Sequence, residues 1–549
     1  MAEPWVSRGL GALFETQVRG LNKYEDTVFG TAADRATGLG AKNLRSVGDL
    51  AAFYRPLQGE FSSTGAYLGG AFAATAAHVG GTGPTVINSE IQRYTSGFSG
   101  APGEPACHVM EADGLRIRAM RQAGTFNSYL RGQVLTSGAG INVNAPGGTT
   151  VTALADATIT VGDLANIEIG DVATNGSAGL MVVTAKNTGA STITFESISG
   201  GVRTAYKANY HITFTKFAFA QVATNVTNGT TTSITFATAL PSSVVVGCFA
   251  LGIDRTANPV FEPRGRDRAT VQTISGDRLT VTFNAPVHFD TATLTAANFD
   301  GVLFLPQLWS GQIWSRQNYG PHIDGRRVQG LRVTISLPPM PHCNGNNAVF
   351  TKAQVEALYA GAPLVVWGAW PAVWLDSWRP GPNGNGQLLI AGGRDPHSEL
   401  DVFESFNRVS HGPSVWTGNL HDQPYTRRRV VNTGGSSRIP GATWLTTAAN
   451  SLVLSPDSTY LGLSASLCTG APVSFDIIWT PDTVHHYVNG LPFAVSDWSV
   501  DTDYPHQLGI NTGCGSLSSS NCSQLFFPQS NAEADANYVK VHRIEAWEL

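Results

Sequence analysis

The stretch Ser398 to Ser405, S-E-L-D-V-F-E-S, decides how the chain is read. Its apolar members Leu400, Val402 and Phe403 favour strands. Side chains alternate along a strand, so Glu399 and Asp401 share a face while Glu404 has the opposite parity. One extra residue, a β-bulge at Val402 or Phe403, would return Glu404 to the face of the other two, and bulges recur beside active sites. Three crowded carboxylates cannot all stay ionised, so at least one is expected to be pushed up into the range of a general acid. Two carboxyls about 5–5.5 Å apart across a glycosidic bond are the machinery of a retaining glycosidase. With 40 acids in 549 residues the same spacing also arises by chance on a solvated strand face, so the motif needs its neighbours.

Upstream lies the densest aromatic stretch, VVWGAWPAVWLDSW, in which Trp370 and Trp374 have equal parity and share a strand face. Aromatic faces stack on the apolar faces of sugar rings, and a Trp pair one strand from paired carboxylates is what a glycan cleft requires. Core packing is the ordinary alternative for a large aromatic. Downstream, His421 in VWTGNLHDQPY can hydrogen-bond a sugar hydroxyl, although a lone strand His is more often structural.

Further out, the composition narrows the class. Only 14% of residues are charged, and 60 glycines with abundant Thr, Ser, Val and Ala describe a β-rich chain with many turns. The net charge of −5 leaves no footprint for nucleic acid or anionic membrane. No apolar run reaches the ~20 residues that span a bilayer. The N-terminal MAEPWVSRGLGALF lacks the basic and apolar regions of a secretory signal. Six scattered cysteines form no CxxC pair, which argues against zinc. Cys514 and Cys522 flank a Ser/Gly-rich loop and are either a disulfide or two free thiols.

Four segments emerge in order. Residues 1–55 carry the helix-like patterns GALFETQVRGL and SVGDLAAFY and read as a short, partly helical arm for attachment. Residues 56–130 are Gly- and aromatic-rich and include the alternating DGLRIRAMR. Residues 131–307 hold short strands such as TSITFATAL and DRLTVTFNAPV, which read as one or two small β units. Residues 308–549 carry the tryptophan and acid blocks. They also carry the helix-like pattern TKAQVEALYAG and an Asn489-Gly490 turn, the strongest short hairpin signal.

Taken in order, the motifs resemble glycoside hydrolase family 16, the laminarinase-like glucanases and galactanases. NSEIQRYT resembles that family's N-x-E-x-Q-x-Y-T segment, LWSGQIWSRQNYG its S-G-x-I-x-S/T segment, WPAVWL its W-P-A-x-W-L, and ELDVFE its catalytic strand in the bulged form. DGLRIRA, VTISLP, GNLH, FDIIWTPDTVHHYVNG and YVKVHRIEAW resemble its remaining blocks. The resemblance covers about 60–130 and 308–549, so 131–307 look like a β-rich domain inserted into a loop. It implies an all-β jelly-roll sandwich of two curved antiparallel sheets with the sugar chain in a concave cleft. It further implies Glu399 as nucleophile, Glu404 as acid/base and Asp401 as the residue holding Glu399. Trp370 and Trp374 would line the donor subsites, with Asn88 and His421 as further sugar contacts. Two positions depart from the pattern: Arg332 stands where an acid is common, and Asn537 stands at an Asp that can bind structural calcium. No catalytic metal or other cofactor is expected, and Asn537 puts the family's structural calcium in doubt.

The expectation is an endo-acting retaining hydrolase of an extracellular or cell-surface polysaccharide. The missing signal, the arm and the Thr/Gly-rich β units point to a virion setting, a phage tail fibre or spike. That setting implies virion partners through 1–55 and a homo-oligomer, a trimer in the fibre case. The alternatives are a glycan-binding, lectin-like recognition protein without turnover, and a purely structural virion protein.

Overall fold

The computed structural model describes residues 13–30, 42–44, 54–55, 93–95, 105–121, 133–134, 141–143, 152–155, 167–174, 180–189, 192–198, 203–206, 211–255, 269–289, 291–321, 327–337, 370–378, 397–408, 412–417, 420–422, 436–437, 445–448, 451–454, 470–481, 483–496, 506–513, 535 and 537–549. These residues form an all-β, jelly-roll type sandwich with a second β body inserted into it. One layer is a 9-stranded antiparallel sheet. In it Gln312–Tyr319, His506–Gly513, Trp370–Trp378, His397–Arg408 and Gly412–Thr417 lie side by side, and Leu420–Asp422 pairs with His397–Arg408. The other is a 12-stranded sheet, in which Val484–Val488, Pro472–Trp479, Gln329–Ser336, Tyr538–Glu548 and Gly114–Arg121 are successive neighbours.

Alternation explains why these two sheets stack. From the 9-stranded layer Val373, Leu375, Leu400, Leu508 and Ile510 enter one buried cluster; from the other come Leu331, Val333, Phe475, Ile477 and Trp479. Phe403 meets Phe475 across the layers, with ring centroids 4.4 Å apart. Burying each such side chain contributes about 1.5–3 kcal/mol. Asn489 and Gly490 both take positive φ, 49° and 73°, so the hairpin between Val484–Val488 and Leu491–Ser496 turns where the Asn-Gly pair places it. Gly311 sits where the chain crosses from one sheet to the other. A Cβ there would lie 2.8 Å from the Cys107 carbonyl oxygen and 2.8 Å from Ile117.

The chain leaves the sandwich at Arg121 and re-enters at Leu308, and those two residues are register partners in an antiparallel pair. Between them an 11-stranded sheet folds around its own cluster, in which Phe283 stacks on Phe304 at 6.4 Å and Phe236 meets Phe304 edge-on at 5.6 Å. Phe249 of this body packs edge-on against Trp309 of the sandwich at 6.2 Å.

The N-terminal segment corrects the sequence reading. Within 13–30 the helix is one turn, Phe14–Gln17, and Asn22–Phe29 is a strand paired antiparallel with Tyr538–Glu548. Phe14 is fully buried against Tyr487 and Trp547 at 5.4 and 5.3 Å, and its N–H donates to the Gly490 carbonyl. These residues are built into the sandwich rather than forming a free arm. The strand escaped notice because its inward positions are Glu25, Thr27 and Phe29, two of them polar, so no apolar alternation shows. SVGDLAAFY before Tyr54, TKAQVEALYAG, Cys514 and Cys522 lie outside the described residues. Cys107 and Cys248 are buried thiols outside any disulfide, and burial pushes the Cys248 thiol up to about 12.

Candidate active site

The strand His397–Arg408 carries the acids, and it is bulged. Against Trp370–Trp378 its register runs Glu399 to Asp376, Leu400 to Leu375 and Asp401 to Trp374. It then resumes with Phe403 opposite Val373 and Glu404 opposite Ala372, so Val402 is the extra residue. The side chains say the same. Leu400 and Val402, two apart, enter the core, and Phe403 enters it directly after Val402. Two successive inward residues are what shifts the phase, and position 404 thereby falls in step with 399 and 401.

Across the sheet, on the face away from the core, three rungs of residues follow from the register. The first holds Gln312, Asn511, Ala372, Glu404 and Trp416. The second holds Trp314, Gly509, Trp374 and Asp401. The third holds Asn318, Gln507, Asp376, Glu399 and His421. His421 is thus the direct register partner of Glu399, and Trp370 and Trp374 share this face on an unbroken strand. Asn88 lies outside the described residues.

Asp401 and Trp374 are described to their side-chain atoms. Both are buried, at 1% and 5% exposure, so Asp401 suits a supporting role better than contact with solvent or sugar, and Trp374 offers an edge rather than an open ring. The Trp374 indole N–H donates to Asn511 Oδ1 at 2.8 Å, tying the ring to the next strand. Asn511, Asp376, Trp314 and Trp416 on this face were not found by reading the sequence. Only the pairing of strands far apart in the chain brings them beside the acids.

Arg332 lies elsewhere, on the outer side of the 12-stranded sheet. Its guanidinium clasps the buried Asp476 with two hydrogen bonds, 2.7 and 3.2 Å, and reaches Glu15 at 2.7 Å. Burial opposes the charge on Arg332, but Asp476 and Glu15 outweigh it and raise the guanidinium further above its usual range. At Asn537 the side-chain oxygen accepts from Thr512 Oγ1 at 2.5 Å and the amide donates to the Gly513 carbonyl at 2.8 Å. Calcium takes carboxylate and amide oxygens alike, and here the Asn537 oxygen is engaged by Thr512 and brings no negative charge of its own. Among the described residues no three His, Cys, Asp or Glu converge as metal ligands.

No protein-family model and no curated protein matches the chain. Solved structures do show similarity. A glycoside hydrolase family 16 endo-glucanase from Bacteroides ovatus is 13% identical over 44% of this chain and 75% of its own, at TM-score 0.25. The kappa-carrageenase from Pseudoalteromonas carrageenovora, in complex with an oligotetrasaccharide of kappa-carrageenan, is 15% identical over 46% and 73%, at 0.25. An immunostimulatory antigen and pseudo beta-1,3-glucanase of Mycobacterium tuberculosis is 12% identical over 44% and 70%, at 0.25. At that level of superposition the likeness carries no functional weight.

Proposed function

We propose that the chain is an endo-acting, retaining glycoside hydrolase of an extracellular or cell-surface polysaccharide of the β-glucan or galactan type. The observation that carries this reading is the bulge at Val402, which sets Glu404 in phase with Glu399 and Asp401. Positions 399 and 404 stand opposite residues four apart on the neighbouring strand, about 13 Å at Cα. Two glutamates leaning toward each other from that span can approach the ~5–5.5 Å that double displacement needs.

In this reading the Glu399 carboxylate attacks the anomeric carbon while Glu404 protonates the departing glycosidic oxygen. Glu404 then deprotonates a water, which displaces Glu399 and releases a sugar of unchanged configuration. Asp401, buried between them in sequence, holds the protonation state of Glu399. Trp370, Trp374, His421 and Asn88 contact the sugar chain. We assign the protein to a phage tail fibre or spike as a trimer; the Thr/Gly-rich inserted β body supports that setting, and the mass of the particle in solution tests it.

The second reading is a glycan-binding recognition protein without turnover, which would use the tryptophan positions of this face and not the acids. One assay separates the two. Laminarin, mixed-linkage glucan, agarose, carrageenan and host exopolysaccharide are incubated with the protein, and new reducing ends are followed. Cleavage that vanishes in Glu399→Gln while binding persists supports the hydrolase. Binding with no cleavage of any polymer supports the recognition protein.

A further inference from the structure

The proposed reaction leaves one deeply buried titratable side chain without a task. His486 is 1% exposed, and neither of its ring nitrogens meets a hydrogen-bonding group of the protein. Burial holds this ring neutral, and a neutral imidazole always carries one donor and one acceptor. Leaving both unmet is costly, so a bare histidine here is a poorer choice than a leucine or phenylalanine of similar bulk. Two other enclosed histidines are provided for. His108 Nε2 accepts from the Gln312 N–H at 3.1 Å. His542 Nε2 accepts from the Ser336 hydroxyl at 2.6 Å, while its Nδ1 donates to the Asp113 carbonyl.

Its place in the fold narrows what can answer it. His486 is in phase with Val484 and Val488, which belong to the core between the layers. Across the layers Phe475 meets Phe403, and Trp479 meets His506 edge-on at 4.8 Å. Ile477, the register partner of His486, lies between those two contacts on its strand. His506 adjoins Gln507, whose register partner Asp376 faces Glu399. His486 therefore lies under the stretch from Glu399 to Phe403, and the inward residues of that stretch, Leu400, Val402 and Phe403, are apolar. On its other side its register partner is Ala494, the smallest residue of Leu491–Ser496. Ser496 is the diagonal neighbour beyond, about 7–8 Å away at Cα. That is too far for a direct hydrogen bond but suits two in series, which span about 5.5 Å.

We propose that His486 binds an internal water molecule between the layers, beneath the acid strand. A water accepts from an imidazole N–H or donates to the bare ring nitrogen, and it brings no charge into an apolar layer. Buried waters are the usual answer to a polar group that the protein leaves unmet. The site stands whether or not the acids above it cleave a glycan.

Crystals of the full chain, ordered well enough to show internal waters, test this without a variant. A solvent peak about 2.7–3.2 Å from Nδ1 or Nε2 of His486 is the expected result. Oxygen-17 magnetic relaxation dispersion gives a second reading in solution, because it counts waters held long enough to tumble with the protein. The count should fall by about one in His486→Phe. His486→Leu takes its place where the Phe variant loses its melting transition. Three results would each overturn the proposal: no solvent peak at either nitrogen, a protein group bonded to the ring instead, or a count that the folded variant leaves unchanged.

Discussion

Glu399 and Glu404 are chemically alike, and only their assigned roles differ, so the sharpest residue-scale test tells those roles apart. Glu399→Ala and Glu404→Ala should each lower turnover by about 10²–10⁴-fold. Added azide should rescue both with opposite stereochemistry. In Glu399→Ala it replaces the nucleophile and yields an inverted glycosyl azide, and in Glu404→Ala it attacks the glycosyl-enzyme and yields a retained one. Chromatography and NMR of the azide products decide it. Asn511 makes a second case. Asn511→Leu leaves the Trp374 indole N–H buried without its acceptor, a loss of about 1–3 kcal/mol. Its melting temperature should fall, and KM should rise more than kcat falls; an unchanged KM would mean the tie does not position the ring. The acids and Trp374 were legible because strand parity and short motifs are local properties. Asn511 and Asp376 were not, because their importance lies in cross-strand neighbours 137 and 23 positions away in the chain.

The acid strand as an element gives a test of the bulge itself. Deleting Val402 leaves E-L-D-F-E, which alternates regularly and keeps the second glutamate on the face of Asp401. The deletion should therefore fold, at a cost of about 1–3 kcal/mol for the lost buried side chain, and retain measurable hydrolysis. If the wild-type strand were flat, Glu404 would start on the core face and the same deletion would carry it onto the acid face, so a gain of hydrolysis on deletion would contradict the bulge. The outer face of the other sheet offers a contrasting element. Arg332→Ala strands the Asp476 carboxylate, which is almost wholly buried, and should destabilise the fold by about 3–5 kcal/mol in thermal unfolding. Glu15→Ala, at the exposed end of the same network, should change stability by less than about 1 kcal/mol. The alternating DGLRIRA and YVKVHRIEAW could be read as strands directly. Asn22–Phe29 could not, because polar Glu25 and Thr27 occupy the inward phase.

For the whole molecule, buried histidines set the acid limit. His486 alternates inward with Val484 and Val488, and burial, with His485 adding to it, pushes its imidazole down to about 3. The folded value lies below the unfolded one, near 6.5, so folding favours the neutral ring. That contribution is complete above pH 6.5. It is lost as pH falls from there toward 3, at up to about 1.4 kcal/mol per pH unit, because the unfolded chain takes up the proton and the native one does not. Denaturant melts of His486→Phe should show a shallower loss of stability between pH 6 and 4 than the wild type; parallel curves would rule His486 out as the cause. The inserted body gives the other large-scale expectation. Because Arg121 and Leu308 are already register partners, joining them by a short turn should leave a folded sandwich that still cleaves soluble oligosaccharides.

The central claim is that one irregular residue in a β-strand lets two glutamates act on a glycan by double displacement. Proton NMR of the first-formed reducing ends, recorded before mutarotation on the polymer the protein cleaves, measures it most directly. Newly released β-anomer from a β-linked chain is the predicted result, and α-anomer appearing first, or no reducing ends from any polymer including that of the host, would contradict it.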